Sequence, residues 1–264
     1  MKVQILVSTM NQKDYSLLDK LNIQSDTVIV NQDDHYAYDV FDYNGYRVEW
    51  FSVNERGLSR SRNLALSKAS GDICVLVDDD EQLRTGYPDI IRNAFSFYPD
   101  AAIIAFNIAS IGNKSNRYYN KKNKRLHRFN SMRYGSARIA FRRKKIIKEQ
   151  IGFPTLFGAG SSFFSSGEDS IFLSTCFNKR LRVYAWTEVI ADIEDEDGTS
   201  SWFSGYNKKY FVDKGAVYAA MTKYFAIGYC LYFAFRHKKK YSNTVSFQQA
   251  MQWMLEGIAM YRKL

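Results

Sequence analysis

The chain has 264 residues, 46% of them hydrophobic and 24% charged, with only 3 Pro and 15 Gly. That balance excludes disorder, collagen-like repeats and a linker-dominated protein, and the length suits one large α/β domain with an appendage. A formal net charge of +10 invites a polyanion-binding reading, but the charge is unevenly distributed. Lys114–Lys148 holds 14 basic residues and no acidic one, and Trp202 to the end holds 10 basic and 2 acidic. The remainder holds 13 basic and 25 acidic side chains. An acidic core therefore carries two basic regions. A protein that coats nucleic acid has no use for such a core, and no nucleic-acid partner is expected.

The apolar, β-rich run Lys2–Ser8 predicts a first strand, followed by a polar loop and a helix over 14–21. DTVIVN from Asp26 predicts a second strand, and Asn44-Gly45 between FDY and YRVEWF predicts a hairpin. GLSRSRNLALSKASG from Gly57 reads as a helix with Leu58, Leu64, Ala65, Leu66 and Ala69 inward and Gly71 as its stop. ICVLV then has the all-apolar look of a strand buried on both faces. A helix near Tyr87–Tyr98 and a strand near Ala101–Asn107 continue the alternation. Such alternation predicts a mostly parallel sheet flanked by helices, with ligands bound beyond the carboxyl ends of its strands. The region 206–264 reads as helical.

Within that region YFAIGYCLYFAF, from Tyr224, is about 12 residues long, short of the ~20 that span a bilayer. Arg236, His237, Lys238, Lys239 and Lys240 follow at once. Aromatics beside cations fit an interfacial helix on an anionic membrane, and equally a core helix with cations at its C-terminus. The apolar VQILV near the N-terminus is too short for a signal peptide, and Cys74, Cys176 and Cys230 lack CxxC spacing. The expected location is cytoplasmic, peripheral on the inner face of the membrane.

ICVLV runs directly into Asp78, Asp79, Asp80 and Glu81. In an extended strand Asp78 and Asp80 share a face, and adjacent carboxylates repel unless a cation neutralises them. Mg²⁺ or Mn²⁺ answers that need with oxygen ligands and also takes phosphate oxygens. A solvated acidic turn is the plainer alternative. No phosphate-binding GxxxxGK[ST] or GxGxxG follows a strand, no HExxH occurs, and the GAG at Gly158 lacks a dinucleotide context.

Three segments in this order carry a resemblance: VSTMNQ from Val7, the run Gly57–Asp80, and FGAGSSFFSSGEDSIFL from Phe157 to Leu173. Over roughly residues 1–205 the sequence resembles family-two-type inverting glycosyltransferases with the GT-A fold. The resemblance implies a Rossmann-like domain over 1–205, with a nucleotide-sugar half (1–110) and an acceptor-side half (111–205). It implies transfer of a hexosyl or N-acetylhexosaminyl group from a nucleotide-diphosphate sugar to a glycan or lipid-diphosphate-linked acceptor, in surface polysaccharide synthesis. Thr9, Asn11, Gln32, Arg62, Asn63, Asp78 and Asp79 would bind the nucleotide sugar, and Asp78 and Asp80 would hold Mn²⁺ or Mg²⁺. Gln32 stands where the family often has a base-reading Asp. Asp169 would be the general base with Glu168 beside it, although anions also suit the start of the helix that follows. The family's late metal ligand is often His; here Asp192 and Glu194 are the nearest substitutes. Trp202 and Tyr206 are the expected acceptor-binding aromatics.

Two other functions use the same features. A nucleotidyltransferase shares the carboxylate–metal logic but releases pyrophosphate. A non-catalytic RNA- or membrane-binding module needs the basic regions and not the carboxylates.

Overall fold

Val3–Met10 forms β1 because VQILVST is buried throughout, the pattern of a strand at the centre of a helix-covered sheet. The computed structural model describes residues 1–111, 118–128, 133–194, 203 and 205–264. Lys114 and Trp202 lie outside those residues. After β1 the expected helix shortens to one turn, α1 (Leu17–Lys20), and Asn22 at φ 53 bends the chain onward. Then come β2 (Asp26–Gln32), β3 (Ala37–Tyr43) and β4 (Tyr46–Val53). Asn44 and Gly45 join β3 to β4 at φ 54 and 83, the left-handed pair that a tight hairpin requires.

The chain continues through α2 (Leu58–Lys68), β5 (Ile73–Asp78), β6 (Glu81–Leu83), α3 (Tyr87–Phe97), β7 (Ile103–Ile111) and β8 (Lys124–Arg125). Next are β9 (Ile139–Arg142), α4 (Arg143–Lys148), α5 (Glu168–Asn178) and β10 (Val183–Glu194). The C-terminal region is α6 (Lys208–Met221), α7 (Ala226–Arg236), α8 (Lys238–Tyr241) and α9 (Phe247–Lys263).

Among the described residues one sheet runs in the order β3-β4-β2-β1-β5-β9-β7-β10-β6, with β8 paired to β10. β4, β2, β1 and β5 are mutually parallel, as are β7 and β10. β9 lies antiparallel between β5 and β7. The sequence did not show this strand, because its short apolar IAF is embedded in cations. Those cations are spent on main-chain carbonyls. Arg142 donates to Ala101 and Phe95 (3.1 and 2.9 Å), Arg143 to Gly71 (2.9 Å) and Lys145 to Asp100 (2.6 Å). Much of this basic region thus braces the sheet.

Strand alternation divides the core. Ile5, Val7, Val75 and Val77 enter the layer covered by α3, while Leu6, Cys74 and Leu76 enter the layer under α2, α4 and α5. The fold is GT-A-like, with a helical C-terminal region.

A third core joins α6, α7 and α9 to Phe157, Phe164 and Ile171, which precede them in the chain. Gly167, at φ 103 before α5, has its Cα against Val217 of α6, where an added Cβ would lie 2.2 Å from a valine methyl. α6 and α9 cross at Gly215 and Gly257, whose added Cβ atoms would each lie 1.9 Å from a carbonyl oxygen of the other helix. No helix among the described residues is long and apolar enough to cross a membrane.

Candidate active site

The parallel register brings strand ends to one edge of the sheet. Met10 lies opposite Gln32, Gln32 opposite Val53, and Ser8 opposite Asp78. Thr9 Oγ1 donates to Asp79 Oδ2 at 2.6 Å and accepts from Gln12 Nε2 at 2.9 Å. Gln32 is buried; its amide oxygen accepts from Gly57 N–H at 2.7 Å and its Nε2 donates to the Thr9 carbonyl at 3.4 Å. Arg56 donates to Asn11 Oδ1 at 3.0 Å and to the Gln32 carbonyl. Thr9, Asn11, Gln32 and Asp79 therefore share one rim.

One carboxylate at this rim was missed. Asp33 directly follows β2, is buried, and receives Lys13 Nζ at 3.0 Å. That hydrogen bond holds its carboxyl below the ordinary range. The signal was present in NQDD, one residue beyond the position assigned to Gln32.

The centre of the site is Arg62, only 3% exposed. α2 departs here from its expected apolar face. Ser59, Ser61 and Arg62 are buried with Ala65 and Leu66, because each polar side chain has a partner: Ser59 Oγ donates to the Phe157 carbonyl and Ser61 Oγ to Ser8 Oγ (2.8 Å each), and Arg62 meets carboxylates. Arg62 Nη2 donates to Asp78 Oδ1 at 2.9 Å, and Nη1 donates to Asp169 Oδ1 at 2.8 Å and Glu168 Oε1 at 3.2 Å. Burial opposes its charge, but Asp169, Asp78 and Glu168 outweigh that and hold the guanidinium above its ordinary pKa. Burial pushes Glu168 up to about 7, with Asp169 reinforcing the rise and Arg62 opposing it. Asp78, one of the two carboxylates expected to hold a metal, thus also meets a cation of the chain itself. Asn63 turns elsewhere: its amide donates to the Phe153 carbonyl at 2.8 Å and accepts from Phe153 N–H at 2.7 Å, clamping α2 to the segment after α4.

Oxygens of Asp78, Asp80 and Glu81 all lie within 4.8 Å of one another. This all-carboxylate set has the hard-donor chemistry that Mg²⁺ or Mn²⁺ prefers. Glu81, buried at the start of β6, is a member that the Asp78/Asp80 spacing did not include. Asp192 is taken by Arg84, which donates to it at 2.6 and 2.7 Å, and the Glu194 side chain is outside the described set. Tyr206 packs with Phe203 and Tyr210 (centroids 5.2 Å each) in the C-terminal aromatic cluster. A cavity of about 280 Å³ lies away from these groups, between Lys2, Asp26, Tyr46 and Arg92 at the amino ends of β1 and β2.

The model of glycosyl transferase family 2 matches residues 24–165, more than half of the chain. The chain belongs to glycosyl transferase family 2. This membership makes it a glycosyltransferase and displaces the nucleotidyltransferase and non-catalytic readings. Among curated proteins, none matches this family-2 chain significantly. Among solved structures, S. aureus TarS residues 1–349 in complex with UDP-GlcNAc aligns with a TM-score of 0.67 and 14% identity, over 98% of this chain and 82% of that one. The UDP complex of the same segment gives 0.65 and 14%, over 99% and 81%. Against the longer TarS structure (0.66, 14%), the family-2 chain is covered over 98% and spans 49% of the other. At that identity the likeness concerns the fold.

Proposed function

We propose that this family-2 enzyme is an inverting transferase that moves a sugar from a nucleotide-diphosphate sugar to a glycan or lipid-diphosphate-linked acceptor. The observation that carries this reading is Arg62, which ties Asp78 on the donor-side rim to Asp169 and Glu168 on α5. A single buried cation thereby fixes the two halves of the site. Asp169 is the general base. Its side chain is 22% exposed against 9% for Glu168, so it is the carboxylate of the pair that can meet an acceptor hydroxyl. The hydroxyl oxygen attacks the anomeric carbon as its proton passes to Asp169, and the bond to the leaving diphosphate breaks on the opposite face. Asp78, Asp80 and Glu81 would hold a divalent cation, whose chemistry is to stabilise negative charge on the departing nucleoside diphosphate. Thr9, Asn11 and Asp79 line the nucleotide side, and Asp33 takes the base-reading place first given to Gln32. TarS binds UDP-GlcNAc, which makes uracil the first base to test.

The test is donor turnover with a panel of nucleotide sugars and added Mn²⁺ or Mg²⁺. Asp80→Ala should lose metal-dependent turnover; full activity in that variant refutes the cation assignment. Asp169→Asn should lower kcat by ~10²–10⁴-fold and spare nucleotide binding, and unchanged turnover refutes the base assignment.

A further inference from the structure

The outer face of α7 is strongly apolar and largely exposed, with Phe235 resting its ring against Phe247 of α9 at a centroid distance of 4.8 Å. Tyr224 (80% exposed), Phe225 (71%), Tyr232 (60%) and Phe235 (68%), together with Leu231, form a stripe down one side of the helix. The opposite side, Ala226, Tyr229, Cys230, Phe233 and Ala234, is buried against the C-terminal core. The helix is apolar on both sides, and the protein covers one. Arg236, Lys238, Lys239 and Lys240 are exposed at the end of that stripe, and no ion pair holds any of them among the described residues. The two acids of the C-terminal region are engaged elsewhere. Asp213 accepts from Ser165 N–H at 2.9 Å and lies 3.4 Å from Lys209, and Glu256 pairs with Lys208 at 3.0 Å.

We propose that this face of α7 is an interfacial anchor that seats the protein on an anionic lipid bilayer. The aromatics enter the headgroup region, and Arg236 with the three lysines meets lipid phosphates. Charge complementarity selects this occupant, because the cations have no anion of their own chain to meet. The 11-residue helix is ~16 Å long at ~1.5 Å per residue, so it lies along the surface rather than crossing the ~30 Å hydrocarbon layer. Nothing in this proposal depends on the sugar-transfer reading, since vesicle binding needs no donor.

The test is flotation of the full chain with phosphatidylcholine vesicles, with and without phosphatidylglycerol. Binding is expected only with phosphatidylglycerol and should weaken as salt rises. A Phe225→Ser/Tyr232→Ser/Phe235→Ser variant and a Lys238→Glu/Lys239→Glu/Lys240→Glu variant should each weaken it on the order of tenfold or more. Both should keep wild-type circular dichroism and donor hydrolysis without vesicles. If the aromatic variant fails to fold, Tyr224→Ser/Phe225→Ser in the preceding turn replaces it. The proposal falls if phosphatidylglycerol vesicles do not bind, or if only charge reversal matters. It also falls if light scattering shows oligomers that the aromatic variant dissolves, which would make the face a contact between copies.

Discussion

A guanidinium 3% exposed must find its counter-charge where it sits, and Arg62 finds three carboxylates contributed by β5 and α5. Removing one partner of a buried ion pair costs ~3–5 kcal/mol because the remaining charge stays desolvated. Arg62→Met should therefore lower unfolding free energy by about that amount in urea. Arg62→Lys should recover only part of it, since a point charge cannot fork between Asp78 and the α5 pair. Adding Glu168→Gln to Arg62→Met should recover only part of the loss, because Asp78 and Asp169 remain without their cation. Glu168 also gives the fold a pH signature. Its folded value of about 7 lies above the ordinary 4.5, so its contribution is complete below 4.5 and is lost as pH rises through about 7. Metal-free unfolding measured across that window should show falling stability, and Glu168→Gln should flatten the trend.

Among the elements, the helix crossings make the sharpest demand on sequence. Gly257 places its Cα where a methyl group would sit 1.9 Å from the Val212 carbonyl oxygen, so Gly257→Ala must spread α6 from α9. The expected cost is ~1–3 kcal/mol or more. Gly228 on α7 has open space around it, and Gly228→Ala should instead stabilise by up to ~1 kcal/mol through helix propensity. Thermal melts of the two variants should shift in opposite directions. The same contrast shows what was legible in the sequence. The strands ICVLV and DTVIVN, the Asn44-Gly45 hairpin and the acidic run after β5 are local patterns, and each was readable from its own residues. The polar inner face of α2 was not, because the partners that turn Ser59, Ser61 and Arg62 inward (the Phe157 carbonyl, the Ser8 hydroxyl and carboxylates up to 107 residues away) are distant in the chain. β9 escaped for a similar reason: its cations look solvated until Ala101, Phe95 and Gly71 supply the carbonyls they cap.

For the whole molecule, the charge pattern and the packing agree. The acidic centre lies at the sheet edge, part of the first basic region braces the sheet, and the second surrounds a helical platform. That platform is built into the segment around α5. Gly167 leans on Val217, Ser165 N–H is held by Asp213, and Ser174 Oγ donates to the Met221 carbonyl at 3.2 Å. Ending the chain at residue 205 would bare Phe157, Phe164 and Ile171 and release the segment that presents Glu168 and Asp169. Such a chain should be insoluble or lose both cooperative unfolding and turnover, as circular dichroism and donor assays would show.

The antiparallel insertion of β9 has a consequence for synthesis. β5 is complete at residue 78, yet the strand that covers its open side begins at residue 139. While the ribosome makes the residues between them, the nascent sheet exposes an unpaired, wholly apolar edge of the kind that adheres to other chains. The strand that ends in Asp78 therefore stays open to misassembly until residues 139–142 have been made.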